Sequence, residues 1–216
     1  MSRRTTAVLI SGRGSNLQAL IDAAAAPDYP ARIVRVISNV PTAAGLKRAE
    51  AAGIPTTVID HRGFSDRAAF DDALHRALLA DGVELVCLAG FMRLLTAKFV
   101  EAWRDRLINI HPSLLPAFPG LNTHARALAA GVRFTGCTVH FVRPTMDEGP
   151  IIIQAAVPVL PGDDEPTLAA RVLAAEHQIY PFALRMIASG RARVVGEQVV
   201  IDGASSPAAP LFNPLP

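Results

Sequence analysis

Short apolar runs alternate with helix-like stretches through the first two-thirds of the chain. The runs are Thr-Ala-Val-Leu-Ile at 6–10, Ile-Val-Arg-Val-Ile at 33–37, Thr-Val-Ile at 57–59, Leu-Val-Cys-Leu-Ala at 85–89 and Leu-Ile-Asn-Ile at 107–110. Each is too short for a helix and rich in aliphatic residues, and each predicts a strand buried on both faces. Helices are predicted between them over 17–26, 43–52, from Ser65 or Asp66 to 81, and 96–103. Ser65 or Asp66 supplies an N-cap, and Gly53 and Gly82 stand where a helix C-terminus favours glycine. Buried strands joined by helices predict an α/β fold. It is an open, mostly parallel, twisted sheet with helices on both faces, of the Rossmann-like kind.

The last third breaks this rhythm. Residues 134–142 and 151–159 are long strand-like runs with a loop between them, read as an antiparallel extension of the sheet. A long helix is predicted over 167–188, kinked at Pro181, followed by a hairpin over 193–201. The stretch from 204 onward is rich in Pro, Ala and Ser and reads as a surface tail. Residues 1–202 are therefore assigned to one domain and 203–216 to the tail.

Composition narrows the function classes. The chain has 216 residues, half of them hydrophobic and 19% charged, which is globular rather than disordered. A net charge of +2 gives no argument for nucleic acid or membrane as the main partner. Cys87 and Cys137 each lie in an apolar stretch and read as buried, reduced thiols; no zinc spacing is present. Met1-Ser2-Arg3-Arg4 precedes only a short apolar run, unlike a signal peptide, and no run approaches the ~20 residues that span a bilayer. A cytoplasmic enzyme is the expectation.

Four places carry candidate chemistry. The first strand runs into Ser11-Gly12-Arg13-Gly14-Ser15-Asn16 and a helix, an arrangement whose free amides suit an anion. A dinucleotide is disfavoured, because Leu17 stands where a third glycine belongs and the second strand ends in Ser38-Asn39 rather than an acid. One phosphate suits the loop better; an ordinary turn capped by Ser15 or Asn16 is the plainer alternative. Next, Asn109 and His111 lie two residues apart at the end of a buried strand and so point to the same side. An amide donor beside an imidazole suits acyl transfer, one stabilising a developing oxyanion and the other moving protons, although a lone His at a strand end is commonly structural. Asp147, in the turn Met146-Asp147-Glu148-Gly149-Pro150, is either an acid for that pair or a turn residue. Glu176 falls among Leu168, Val172 and Ile179 at helical spacing, so it is either bound on an apolar face or sits at its rim.

Together these segments resemble the phosphoribosylglycinamide formyltransferases of purine synthesis over residues 6–187. The resemblance is carried by Ser11-Gly12-Arg13-Gly14-Ser15-Asn16-Leu17-Gln18, Ala89-Gly90-Phe91-Met92-Arg93, residues 109–116 continuing to Pro119-Gly120-Leu121, Gly136 through Asp147-Glu148-Gly149-Pro150, and Glu176-His177-Gln178-Ile179-Tyr180-Pro181. It implies the formyltransferase variant of the fold and a formyl donor, 10-formyltetrahydrofolate. The acceptor is implied to be glycinamide ribonucleotide, converted to N-formylglycinamide ribonucleotide by direct attack through a tetrahedral intermediate. It implies Asn109, His111 and Asp147 as the catalytic group, Gly14, Ser15 and Asn16 on the acceptor's phosphate, and Glu176 on its ribose. Arg67, Met92, Arg93, Leu94, Leu95, Asn109, Arg143 and Asp147 would hold the folate. It further implies a cis peptide before Pro116, no metal, no nicotinamide, and a monomer or homodimer acting on small molecules without nucleic acid or membrane.

Ala117, Phe118, Asn122 and Pro144 depart from that family's usual residues. The rivals are a methionyl-tRNA formyltransferase, which needs a further C-terminal domain, a formyltetrahydrofolate deformylase, which needs an N-terminal one, and a non-catalytic nucleotide-binding module.

Overall fold

The computed structural model describes residues 3–214; the readings of Met1, Ser2, Leu215 and Pro216 lie outside the described residues. The order of elements is β1 (Arg4–Ile10), α1 (Ser15–Ala24), β2 (Ala31–Ser38), α2 (Gly45–Ala51), β3 (Thr56–Val58), a 3-10 turn (His61–Gly63), α3 (Arg67–Ala80), β4 (Leu85–Leu88), α4 (Ala97–Ala102) and β5 (Leu107–His111). There follow α5 (Thr123–Ala129), β6 (Phe134–Phe141), β7 (Ile151–Pro158), α6 (Glu165–Ala188), β8 (Ala192–Val195) and β9 (Gln198–Ile201). Seven strands form one sheet in the order β3-β2-β1-β4-β5-β6-β7, and β8-β9 pair separately. Strands β1 to β5 run parallel, while β6 and β7 are antiparallel to their neighbours.

Alternation along the strands divides the core into two layers. Val8 and Ile10 of β1, Cys87 of β4 and Ile108 and Ile110 of β5 face α1, α2 and α6. Ala7, Leu9, Val86, Leu88 and Leu107 face α3 and α4, where Phe70, Leu74, Phe99 and Trp103 meet them. Consecutive residues therefore serve opposite layers, which is why these strands lack a polar face. Burial pushes both thiols, Cys87 and Cys137, up to about 12, and neither is in a disulfide.

Local chemistry sets the helix ends. Asp66 accepts from Ala69 N, Thr96 from Phe99 N and Asp164 from Thr167 N, so α3, α4 and α6 each start on a side-chain cap. Helix α6 continues through Pro181, whose missing N–H deprives the His177 carbonyl of its helical donor. Tyr29 Oη donates to Pro181 O at 2.7 Å, and Tyr180 Oη reaches Leu88 O at 3.0 Å, tying the same stretch to β4. The tail past β9 is exposed apart from Asn213, which donates to Arg133 O and Val159 O.

Among the described residues no helix is long and apolar enough to cross a membrane.

Candidate active site

Strand order reverses at β1: the chain first builds outward through β2 and β3, then returns to place β4 and β5 on the other side. Open α/β sheets bind ligands at such a switch, outside the strand carboxyl ends, and the loop after β1 opens there. Gly14 holds φ +72 immediately before α1, with no side-chain cap on that helix, so the amides of its first turn are free. A Cβ on Gly14 would lie 2.6 Å from Gly45 Cα, so the loop needs glycine for its approach to α2 as well as for its backbone angle.

A cation from α2 also reaches this loop. Arg48 Nε donates to Arg13 O at 3.0 Å and Arg48 Nη1 to Gln18 Oε1 at 3.4 Å. Ser15, Gln18, Arg48 and His177 line one groove beside the loop. Burial, and then the charge of Arg48, push the His177 imidazole below its ordinary value. Nothing in the sequence spacing pairs Arg48 with Gly14; the crossover from β2 brings it there.

Glu176 resolves to the buried alternative, at 7% exposure, and accepts from Asn16 Nδ2 at 2.6 Å. Burial raises its carboxyl above the usual range, and the hydrogen bond from Asn16 opposes that shift. Asn16 Oδ1 is buried and has no hydrogen-bond partner among the described residues.

Asn109 and His111 share the β5 face of Leu107, on the side of the sheet packed by α3 and α4. Over β5 and β6 the loops 113–122 and 143–149 stand in place of a helix. His111 is 5% exposed. Its Nδ1 lies 3.4 Å from Asp147 Oδ1, and its Nε2 lies 3.1 Å from Phe118 O. Asp147, at φ +56, also accepts from Gly120 N at 2.6 Å through Oδ2, so one carboxylate spans both loops.

A residue absent from the sequence reading completes the group. His140, opposite Asn109 across β5–β6, is buried, and burial pushes its imidazole below the ordinary value. Its Nδ1 lies 3.0 Å from Phe141 O and its Nε2 3.3 Å from Asn109 Nδ2. A neutral ring that donates from Nδ1 accepts at Nε2, which orients the Asn109 amide and leaves its second N–H free. The sequence signal was the alternation of β6, in which Thr138 and His140 fall on one face.

Loop 113–118 is held by Thr138, whose Oγ1 donates to Ser113 O at 2.7 Å and accepts from Leu115 N at 3.1 Å. The Leu115–Pro116 peptide is cis, as the resemblance implies.

The remaining positions divide. Met92 and Leu94 are exposed, and Met92 N donates to Ser11 Oγ at 2.7 Å, joining the 92–95 segment to the end of β1. Phe70 stacks on Phe91, with centroids 6.5 Å apart, which sets exposed Arg67 in the first turn of α3 near that segment. Arg93 Nε is buried without a hydrogen-bond partner among the described residues. Arg143 does not join the group through its side chain. Its guanidinium turns to Asp105 and Glu197, at 2.8 Å and 2.7 Å, and the residue is 8% exposed. A buried guanidinium requires paired acids, and these two satisfy it.

The chain matches the Formyl transferase family over residues 4–184. It is 44% identical over 207 residues to the phosphoribosylglycinamide formyltransferase of Haemophilus influenzae, covering 96% of this chain and 98% of that one. It is 56% identical over 188 residues to the trifunctional purine biosynthetic protein adenosine-3 of Bos taurus, covering 87% of this chain but only 19% of that protein's length. Among solved structures, glycinamide ribonucleotide transformylase 1 from Symbiobacterium toebii superposes with a TM-score of 0.90 at 51% identity, over 92% of this chain and 94% of that one.

Proposed function

This chain belongs to the formyl transferase family, and on that footing we propose that it is a phosphoribosylglycinamide formyltransferase, moving the formyl group of 10-formyltetrahydrofolate to the amine of glycinamide ribonucleotide. The observation that carries the reading is the His111–Asp147 pair at 3.4 Å beside Asn109, on the one part of β5 that loops rather than helices cover. That pair is long for a charge-assisted hydrogen bond, as catalytic contacts without substrate commonly are.

The acceptor amine attacks the formyl carbon, forming the new C–N bond and a tetrahedral intermediate. Its oxygen takes the free N–H of Asn109 and, by displacing the Phe118 carbonyl from Nε2, the proton-bearing imidazole of His111. Asp147 stabilises the positive imidazole by charge and helps route the amine proton, through water, to N10 of the folate. Breaking the C–N10 bond then releases tetrahydrofolate and the formylated product. The Asn109 amide is oriented by His140 before substrate arrives, which is where electrostatic stabilisation is most effective. The acceptor's phosphate sits on the amides of Gly14, Ser15 and Asn16, with Arg48 supplying the charge that amides lack. Glu176 accepts from the ribose hydroxyls. The folate lies along Arg67, Met92, Arg93, Leu94 and Leu95 and the main chain of residues 143–147. We place this reaction in the cytoplasm, carried by residues 1–202 as one domain, in a monomer or homodimer, with neither metal nor nicotinamide.

Purified protein given both substrates should produce tetrahydrofolate and formylated product in equal amounts. Tight NAD binding with no formyl transfer would overturn the reading.

Glu176→Gln separates binding from stability. The folded carboxyl lies above its ordinary 4.5, so the native state holds more protons than the unfolded chain, and stability falls as pH rises from 4.5 through the folded value. Glutamine keeps an oxygen for Asn16 and removes that dependence. The variant should match or exceed the parent's Tm at neutral pH while the acceptor's KM rises roughly tenfold, the worth of hydrogen bonds to a charged group. A drop in neutral-pH Tm with an unchanged KM would assign Glu176 to the core alone.

A further inference from the structure

We propose that Glu197, in the turn of the β8–β9 hairpin, is a positioning residue for the loop that carries Asp147. The proposal rests on the catalytic reading of Asp147 given above. Its starting point is direction. His111, at the carboxyl end of β5, pairs with Thr138, whereas Phe141 pairs with Ile108 and Val142 N donates to Leu107 O. The 143–149 loop therefore leaves β6 opposite Leu107, at the far end of β5 from His111, about 13 Å away at ~3.3 Å per strand residue. To bring Asp147 to His111 it must fold back across the sheet face. A small displacement at its root is then carried to the carboxylate at its tip.

Three contacts fix that root. Arg143 Nε donates to Glu197 Oε2 at 2.7 Å, Arg143 Nη2 to Asp105 Oδ1 at 2.8 Å, and Arg143 Nη1 to Val142 O at 3.2 Å. Arg104 bridges to the other oxygen of Glu197, so that carboxylate joins the turn before β5 to the segment after β6. The stem of Arg143 forms a wall for the far end of the loop. A Cβ on Gly149 would lie 3.1 Å from Arg143 Cγ and 2.2 Å from Phe141 O, so both ends of the loop close on the same side chain. Asp105, at φ +57, and Asp147, at φ +56, both hold left-handed backbone, which non-glycine residues keep only where surrounding contacts enforce it. Glu197 comes from a hairpin outside the seven-stranded sheet, and among the described residues its side-chain partners are these two arginines. A charge remote from the chemistry is thus linked to it through one buried guanidinium.

The test is Glu197→Gln and Glu197→Ala, alone and combined with Asp147→Asn, in the full chain. Glu197 is an exposed turn residue, so the variants should fold. Each single variant should lose about 3- to 10-fold in kcat, because slight misplacement of a catalytic group is costly. The acceptor's dissociation constant should stay at the parent value. In the Asp147→Asn background, Glu197→Ala should cost nothing further, since a residue acting through Asp147 has no other route. The ring nitrogen resonances of His111 should also shift in Glu197→Ala without any substrate, a readout independent of whether formyl transfer is the reaction. Turnover within 1.5-fold of the parent with unmoved His111 resonances, or an undiminished loss in the Asp147→Asn background, would overturn the proposal.

Discussion

Asp147→Asn should lower kcat for formyl transfer by about 10²-fold, in the range that positioned acid–base groups contribute. The structure makes this a clean exchange of charge. Asparagine tolerates the left-handed backbone that Asp147 adopts, and its side-chain oxygen can still accept from Gly120 N. What disappears is the negative charge 3.4 Å from His111 Nδ1. Acceptor binding should stay near the parent value, because the Gly14–Asn16 loop and Glu176 lie on other elements. His111→Ala should cost as much, and the double variant should be little worse than the worse single one, since groups acting as a unit do not add. A correctly folded Asp147→Asn enzyme working within about threefold of the parent, under ~1 kcal/mol, would reduce Asp147 to a turn residue.

Asn109→Ala should cost about 10²–10³ in kcat, the usual effect of removing one oxyanion donor. Here the amide has a second duty: it donates to His140 Nε2, so alanine also leaves a buried acceptor without a partner. That loss should appear separately as about 1–3 kcal/mol of stability. Measuring Tm and kcat together distinguishes the two. A stability loss with turnover intact would make Asn109 a support for His140 and nothing more.

Much of this arrangement was legible in the residues. The aliphatic runs located every strand of the sheet; β1, β4, β5 and β6 are buried on both faces, whereas the edge strand β3, expected to be buried, has no buried residue, and β7 alternates. The order strand, glycine turn, helix placed a tight turn with an uncapped helix start at Gly14, and the two-residue spacing of Asn109 and His111 gave their common side. Helix α5 was missed. Its seven residues, Thr-His-Ala-Arg-Ala-Leu-Ala, bury only Thr123 and Ala127, too little periodicity to register. Glu176 stood undecided because helical spacing gives a face but not what covers it; the covering group, Asn16, is 160 residues away. Arg143 was assigned to the folate by the resemblance, which says nothing of where its guanidinium turns. Its acids, Asp105 and Glu197, come from a turn and a hairpin whose meeting depends on how β5, β6 and β8–β9 stack. Arg48 and His140 likewise became visible only once neighbouring strands fixed which loops face each other.

The two thiols give the molecule an internal clock. Cys87 lies mid-strand in β4 and Cys137 in β6, both wholly covered, and thiols raised to about 12 are almost entirely protonated at neutral pH. Alkylating reagents attack the thiolate, so neither sulfur is labelled until its strand comes free. The interval before labelling therefore times the opening of each strand. Matching intervals mean that the parallel and antiparallel parts of the sheet open as one cooperative unit. Faster labelling at Cys137 means that β6 and β7 peel away first, taking the Asp147 loop with them while the half that carries the Gly14 loop stays closed.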